Sequence, residues 1–373
     1  MSNTRFLYMA TADARGHLMR AQILTHALRS AGGTVDVMTT SEPGQDFLAG
    51  FEIESTLLSK HYAVQFDKTQ NMLRRESNRN VLAYILRPER MLRDIYKLRK
   101  HFRQADLVIN DSFHPAILFM TLIPKWRKKI VHVYGVSLRV ALEDKDSYDE
   151  RLPKWLVAKF RRIVKRLIDS AHARIEHDFA FTQAKTQANN CFQLPTPVVV
   201  VSAHSSEILK TSQTASVYLN PHFTETSLAD ALEQGLSDMQ LKYHCVGEGY
   251  ATRPGWMARD TKFVHKAINS ELIISAPGMA SLSIAMVYDK PIILIRTDQP
   301  EQITNAQRAT ELGLFHEVVV WRQDKDDFRQ QLIQAATRLL NNDEQKQSTT
   351  EVGYEIATKR LNHWVTLLLK LAQ

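Results

Sequence analysis

Two side chains in this sequence combine reactive chemistry with positions that suit catalysis. The first is His17, in the run Asp13-Ala14-Arg15-Gly16-His17-Leu18-Met19-Arg20 that follows the apolar segment Arg5 to Ala10. Gly16 lets the chain turn tightly into a helix, and an imidazole at the start of that helix can serve as a base near neutral pH. The same place suits a helix-cap residue, and pattern alone leaves both readings open. An imidazole that takes up a proton is helped by a carboxylate that orients it. Asp111 ends the apolar run Ala105 to Asn110, so it too reaches the carboxyl edge of the sheet to which both runs belong. Its other reading is the N-cap of the helix that follows that strand. No GxGxxG dinucleotide fingerprint is present, and Asp36, placed about where a ribose-binding acid would fall, stands alone. Cys191 and Cys245 have neither metal-ligand spacing nor the numbers for a disulfide framework, which fits a reducing compartment.

The elements that must position these residues alternate in type. Arg5 to Ala10 reads as a strand, Leu18, Ala21, Leu24 and Leu28 repeat at helical spacing before Gly32-Gly33, and Val35 and Val37 alternate in a second strand over Thr34 to Thr39. Ala105 to Asn110 and Lys129 to Tyr134 continue the pattern as short apolar strands around a helical stretch. Near residues 194 to 214 the composition shifts to Pro, Ser and Thr around one buried-looking strand. Alternation then restarts with strands at Ala215 to Leu219, Leu241 to Val246, Leu272 to Ser275 and Pro291 to Arg296, and helices from Ser227 and over Met279 to Val287. The reading is α/β throughout, with two Rossmann-like doubly wound domains, 1-205 and 206-348, facing across a cleft. A C-terminal helix over 349-373 ends in an apolar run that could pack back on the first domain.

Of 373 residues, 48 are Lys or Arg and 40 Asp or Glu, a net charge of +8. The charge is not evenly spread. Residues 71 to 174 hold 24 Lys and Arg against 11 Asp and Glu, a net of +13 that leaves the remainder at −5. Such asymmetry implies an anionic partner for that half. Arg74, Arg75, Arg79, Arg87, Arg90 and Arg93 begin one basic stretch. In a second, over 151-171, Trp155, Leu156, Phe160, Ile163, Val164, Leu167 and Ile168 form one helical stripe with cations largely outside it. That stripe suits a helix lying on an anionic membrane surface, or else an ordinary surface helix with a solvated basic face. Nucleic acid is not expected as a partner, because no recognition motif accompanies the charge. No run reaches the length of a membrane-spanning helix. The expectation is a cytoplasmic protein, peripheral on the inner face of the cell membrane.

Several motifs, taken together, resemble a known family. The GHxxR turn (Gly16, His17, Arg20) is similar to the start of nucleotide-sugar glycosyltransferases of the GT-B type. Within that type it looks most like the bacterial branch related to the peptidoglycan lipid-intermediate N-acetylglucosaminyltransferase. Ser275-Ala276-Pro277-Gly278-Met279-Ala280-Ser281 followed by Lys290-Pro291 matches the family's order of turn, helix, KP pair and strand, and Glu301-Gln302-Ile303-Thr304-Asn305-Ala306 with Leu312-Gly313 matches its EQxxNA signature. The resemblance implies a donor site in the second domain. The Gly278 to Ser281 turn would take the diphosphate at a helix N-terminus. Glu301, Gln302 and Asn305 would reach the sugar and nucleotide, with a capping role as the alternative, and Asn220 and His222 would supply a weaker second loop. It also implies an aspartate beside the histidine, which fits the His17 and Asp111 pair. Three positions depart from the family. Pro277 stands where a glycine is usual, Ile284 where an acid holds the ribose, and Asp289 where a glycine precedes the Lys-Pro pair.

The expectation is therefore a metal-independent glycosyltransferase that moves a sugar from a nucleotide donor, UDP-sugar first among candidates and with no further cofactor, to a hydroxyl on a lipid-linked or cell-envelope precursor, His17 acting as base. Two further readings stand beside it: a nucleotide-sugar hydrolase of the nonulosonic acid type, and a non-catalytic membrane-bound scaffold on the same fold.

Overall fold

The computed structural model describes residues 4–12, 15–59, 88–111, 113–136, 139, 154–188, 190–201, 214–341 and 350–373. The chain forms two compact units. The first runs to Pro197 and resumes at Arg360; the second spans Val198–Lys359. The expected boundary at 205/206 lies outside the described residues.

In the first unit β1 (Arg5–Ala10), α1 (Arg15–Ser30), β2 (Thr34–Thr39), α2 (Glu42–Ala49) and β3 (Ser55–Leu57) are followed by α3 (Pro88–Gln104), β4 (Leu107–Asp111), α4 (Pro115–Met120), α5 (Pro124–Arg127) and β5 (Ile130–Gly135). Next come α6 (Lys154–Asp169), β6 (Ala173–Asp178), β7 (Lys185–Ala188) and β8 (Cys191–Pro195). The sheet order is β3-β2-β1-β4-β5-β6-β8-β7, and only the β7–β8 pairing is antiparallel. Both faces of the sheet are covered, so β1 is apolar at every position from Phe6 to Ala10. Along β1, Phe6 and Tyr8 point to the face covered by α1, while Leu7 and Met9 point to the face covered by α3 and α4. The helical spacing of Leu18, Ala21, Leu24 and Leu28 puts all four on the sheet, each fully buried. Gly32 at φ +88° closes α1, and Gly33 passes so near the core that a Cβ there would lie 2.9 Å from the Phe6 ring.

The second unit contains β9 (Thr214–Tyr218), α7 (Thr226–Asp238), β10 (Lys242–Val246), a 3-10 turn (Glu248–Tyr250), β11 (Trp256–Met257), α8 (Phe263–Asn269) and β12 (Leu272–Ser275). It continues with α9 (Met279–Val287), β13 (Ile292–Arg296), α10 (Pro300–Glu311), β14 (His316–Val320) and α11 (Lys325–Leu340). Its sheet order is β11-β10-β9-β12-β13-β14, with every pairing parallel. Both sheets therefore reverse their strand order next to the first strand of the unit, between β1 and β4 and between β9 and β12. Open α/β sheets bind ligands at that switch point.

Helix α12 (Thr350–Leu371), expected as a separate segment, is divided between the units at Lys359/Arg360. Its last turns pack on the first sheet, as the apolar run at its end implied. Trp364 is fully buried beside Val131, Val133 and Ile175, and its indole N–H donates to the Pro195 carbonyl at 2.9 Å.

Three expectations need correction. The run Val198 to Val201 is not a strand, although Val198 and Val201 are buried; the strand there is β8, just before it. β6 and β7 were not anticipated, because buried Glu176, His177 and Asp178 break the apolar pattern of β6 and every residue of β7 is exposed. The apolar stripe of α6, read either as a membrane face or as part of an ordinary surface helix, is used inside the fold at its C-terminal end: Leu167 and Ile168 are buried with Phe113, Leu118 and Tyr134, and Val164 packs against them. Trp155 and Ile163 remain outside.

Replacing Trp364 with Ala removes a fully buried side chain and a buried hydrogen bond. Urea unfolding should show a loss of about 3–5 kcal/mol; a loss below about 1 kcal/mol would refute the role of α12 in the first core.

Candidate active site

At the first switch point Ala10 of β1 pairs with Asp111 of β4. Asp111 has no exposed surface and holds four donors. Its Oδ2 accepts from the Tyr8 hydroxyl at 2.8 Å and from Arg20 Nε at 2.8 Å. Its Oδ1 accepts from Arg20 Nη2 at 2.5 Å and lies 3.1 Å from His17 Nδ1. The structure thus brings His17 and Asp111 together, and Asp111 does not cap the next helix, whose N-cap is His114. Gly16 was expected to provide the turn into α1. It is instead the second residue of that helix, without positive φ, and a Cβ there would meet nothing within 4 Å. Its smallness leaves open space beside His17.

Arg20 and Tyr8 complete the cluster without having been assigned a role in it. For Arg20 the signal was present, since a residue three positions after His17 shares its helix face. For Tyr8 only the inward period of β1 pointed that way. Burial alone would raise the Asp111 carboxyl, but the Arg20 guanidinium and the His17 hydrogen bond outweigh it and hold the group well below the usual carboxylate range. Burial and the neighbouring Asp111 push the Tyr8 hydroxyl far up, so Tyr8 stays neutral and donates. The ring of His17 is 22% exposed, whereas Asp111 is sealed beneath it.

Two further histidines lie near this edge. His177, at the end of β6, is 3% exposed and bonds to Thr196 Oγ1 through Nδ1 at 3.0 Å; burial, with the Arg20 charge, holds it well below its ordinary value. His132 of β5 is fully buried, lies 3.2 Å from Asn110 Nδ2, and is lowered by burial to about 3. Phe113, in the left-handed region at φ 58°, packs its ring against His132 and Tyr134.

At the second switch point Tyr218 pairs with Ser275. The chain leaves β12 through Ser275, Ala276 and Pro277 to Gly278, which caps α9 with its backbone alone. A Cβ at Gly278 would meet only the Ala276 carbonyl oxygen, at 3.9 Å, so the approach to the helix N-terminus is open. Met279, Ala280 and Ser281 form the first turn, and Ser281 Oγ is 2.8 Å from Ser275 Oγ. Asn305, buried on α10, donates to the Pro277 carbonyl at 2.9 Å. Gln302 accepts from the Thr297 amide at 2.8 Å. These two side chains brace the loops around the turn, while Glu301 is exposed at the start of α10. On the other side of the switch point Asn220 Oδ1 accepts from the His222 amide at 3.3 Å. Arg296, not singled out from sequence, ends β13 with its Nε unpartnered among the described residues.

Two of the departures have local explanations. Asp289 sits at φ 49° just past the α9 C-cap, where the Lys290 amide returns to the Ala285 carbonyl at 2.9 Å. That is a Schellman end whose left-handed residue is usually glycine and which aspartate tolerates. Ile284 is buried in the packing of α9. Among the described residues no group of three His, Cys, Asp or Glu is placed to hold a metal, and no helix is long and apolar enough to cross a membrane. Both cysteines are buried and unpaired.

Two parallel-sheet α/β units of this form are the GT-B fold. Along its whole length the chain is similar to the glycotransferase of kitacinnamycin, with a TM-score of 0.64 at 13% identity and 100% of both chains covered. The calicheamicin glycosyltransferase gives 0.64 at 15%, covering 100% of this chain and 98% of that one. The spinosyn rhamnosyltransferase complexed with thymidine diphosphate gives 0.58 at 12%, covering 99% and 100%. No protein-family model and no curated protein matches the sequence.

The buried histidines make stability depend on pH. His132 and His177 have folded-state values below the unfolded value of 6.5, so the unfolded chain binds more protons at mildly acid pH. Stability should be flat above about pH 6.5 and fall as pH drops from there toward about 3, with the Asp111 contribution lost below its ordinary 3.8. Urea midpoints between about pH 7 and 4.5 should fall in the wild type and fall less in His132→Gln; equal slopes would exclude His132 as a source.

Proposed function

We propose that this protein is a glycosyltransferase that moves a sugar from a nucleotide donor, held by the second unit, to a hydroxyl acceptor held by the first. The observation that carries the reading is what stands at the two switch points: an imidazole backed by a buried carboxylate at one, and a helix entered through a glycine N-cap at the other. His17 Nε2 takes the acceptor proton while the acceptor oxygen bonds to the anomeric carbon. The bond from that carbon to the donor phosphate breaks, and the diphosphate leaves with the electron pair. The N-terminus of α9 meets its charge, with Arg296 on the adjacent strand as the available cation. A UDP-sugar is the first candidate donor. The spinosyn relative, which carries thymidine diphosphate, makes dTDP the natural comparison.

The acceptor we propose is lipid-linked or another cell-envelope precursor, as in the branch that the GHxxR and EQxxNA motifs resemble, and met at the inner face of the cell membrane. The face of α3 turned away from the sheet supports this. It exposes Leu92 and Tyr96, 60% and 74% accessible, among Arg90, Arg93, Arg99 and Lys100. Leu122 in the α4–α5 turn and Trp155 on α6 are exposed as well. Apolar side chains set among cations suit an anionic bilayer, where each cation near the surface contributes about 1 kcal/mol.

Melting the protein against millimolar UDP, dTDP, GDP, ADP and CMP tests the donor site, since a ligand at a hundred times its Kd stabilises by about 2.7 kcal/mol. One nucleoside diphosphate should shift the transition, equally in wild type and His17→Ala, while His17→Ala loses turnover. No shift with any nucleotide would overturn the reading. Sedimentation with vesicles should recover the protein on phosphatidylglycerol but not on phosphatidylcholine, less at high salt, and less for Tyr96→Glu with Trp155→Glu. Equal recovery of the double variant would remove this face from the proposal.

A further inference from the structure

His17 presents one ring nitrogen to two partners with opposite requirements. Nδ1 stands 3.1 Å from Asp111 Oδ1, which only accepts, and 2.9 Å from Arg20 Nη2, which only donates. A neutral imidazole carries its proton on one nitrogen, so Nδ1 serves Asp111 when protonated and Arg20 when bare. In the first state Nε2 is an acceptor and in the second a donor. The partners of Asp111 decide between them. A carboxylate offers about four lone-pair positions. Tyr8 and Arg20 Nε take the two on Oδ2, Arg20 Nη2 takes one on Oδ1, and His17 Nδ1–H is placed for the fourth. Asp111 has no exposed surface, so solvent does not compete for that position.

We propose that Arg20 is a positioning residue that neutralises Asp111 and thereby sets how tightly His17 holds a proton, while Asp111 selects the Nδ1–H form that leaves Nε2 bare. A lone buried carboxylate at Nδ1 favours the imidazolium, which puts a proton on Nε2 and disables it as an acceptor. The guanidinium that forks onto the same carboxylate cancels that charge, and its Nη2, close to the ring, opposes a positive imidazole. The titratable groups that act on His17 are Asp111 on β4, Arg20 on α1 itself and His177 on β6, with Tyr8 on β1 bonded to the same carboxylate. Tyr8 and His177 are neutral at neutral pH, so the balance lies between Asp111 and Arg20. The catalytic meaning of this arrangement rests on His17 being the base; the electrostatic coupling does not.

The test is a nitrogen-15 NMR titration of the His17 ring, assigned with His17→Gln, on the full chain without substrate. The neutral wild-type ring should show protonated Nδ1 and bare Nε2. Arg20→Gln should raise the titration midpoint by about one pH unit or more, a tenfold rise in proton affinity. Arg20→Lys, which keeps the charge, should return it toward the wild-type value. Asp111→Asn, which leaves the guanidinium uncompensated, should lower it. A purely structural Arg20 would move neither midpoint. An Nε2-protonated wild-type ring, or an Arg20→Gln midpoint equal to wild type, overturns the proposal. Where Arg20→Gln does not fold, Asp111→Asn carries the test, and a midpoint that holds or rises overturns it. With no substrate present, these results are independent of whether the protein proves to be a transferase.

Discussion

An ionised carboxylate sealed from solvent is stable only where its lone pairs are matched and its charge is answered. Asp111 meets both conditions through residues from two elements, β1 and α1, and much of the first unit's architecture at that edge follows from them. Tyr8 has to reach it from β1, which fixes the register of β1 against β4. Arg20 has to reach it from α1, which fixes the rotation of that helix over the sheet. Once α1 is fixed, His17, one turn earlier on the same face, has its inner nitrogen on the carboxylate and part of its ring exposed. The burial of Leu18, Ala21 and Leu24 sets how close the helix lies; the ion pair sets which way it faces.

The second unit solves the corresponding problem without buried charge. Its loops at the switch point are tied by neutral hydrogen bonds, Ser275 to Ser281, Asn305 to the Pro277 carbonyl and Gln302 to Thr297. With glycine as its N-cap, α9 has no capping side chain of its own at the positive end of its dipole. One switch point is thus electrostatically satisfied from within, and the other is held rigid yet left attractive to an anion. An imidazole beside a buried carboxylate in one unit and a glycine-capped helix entry in the other are what the proposed transfer reaction requires.

Much of this was legible in the sequence, and the residues show why. β1 and β12 were readable because both sheet faces are covered, so their apolar runs are unbroken, whereas β2 showed as the alternation of Val35 and Val37 after Gly32-Gly33. The position of Asp111 at a strand end was readable for the same reason. β6 was not, because its buried positions include Glu176, His177 and Asp178, polar groups whose hydrogen bonds, such as Gln193 to Glu176, only the fold supplies. The α6 stripe stayed open between a membrane face and an ordinary surface helix because the period of a helix does not say which neighbour it meets. The role of Arg20 escaped for a related reason. Spacing put it on the face of His17, but only the fold puts Asp111, 91 residues away, against both.

The division of α12 bears on how the protein comes to exist at all. Trp364 bonds to Pro195, 169 positions earlier in the chain. At a synthesis rate of roughly 5–20 residues per second, the strands of the first sheet leave the ribosome some ten seconds or more before the indole that covers them. During that interval Val131, Val133 and Ile175 form a greasy platform without its lid, while the whole second unit is still being made. The nascent first unit therefore reaches its finished form only after the second unit has emerged.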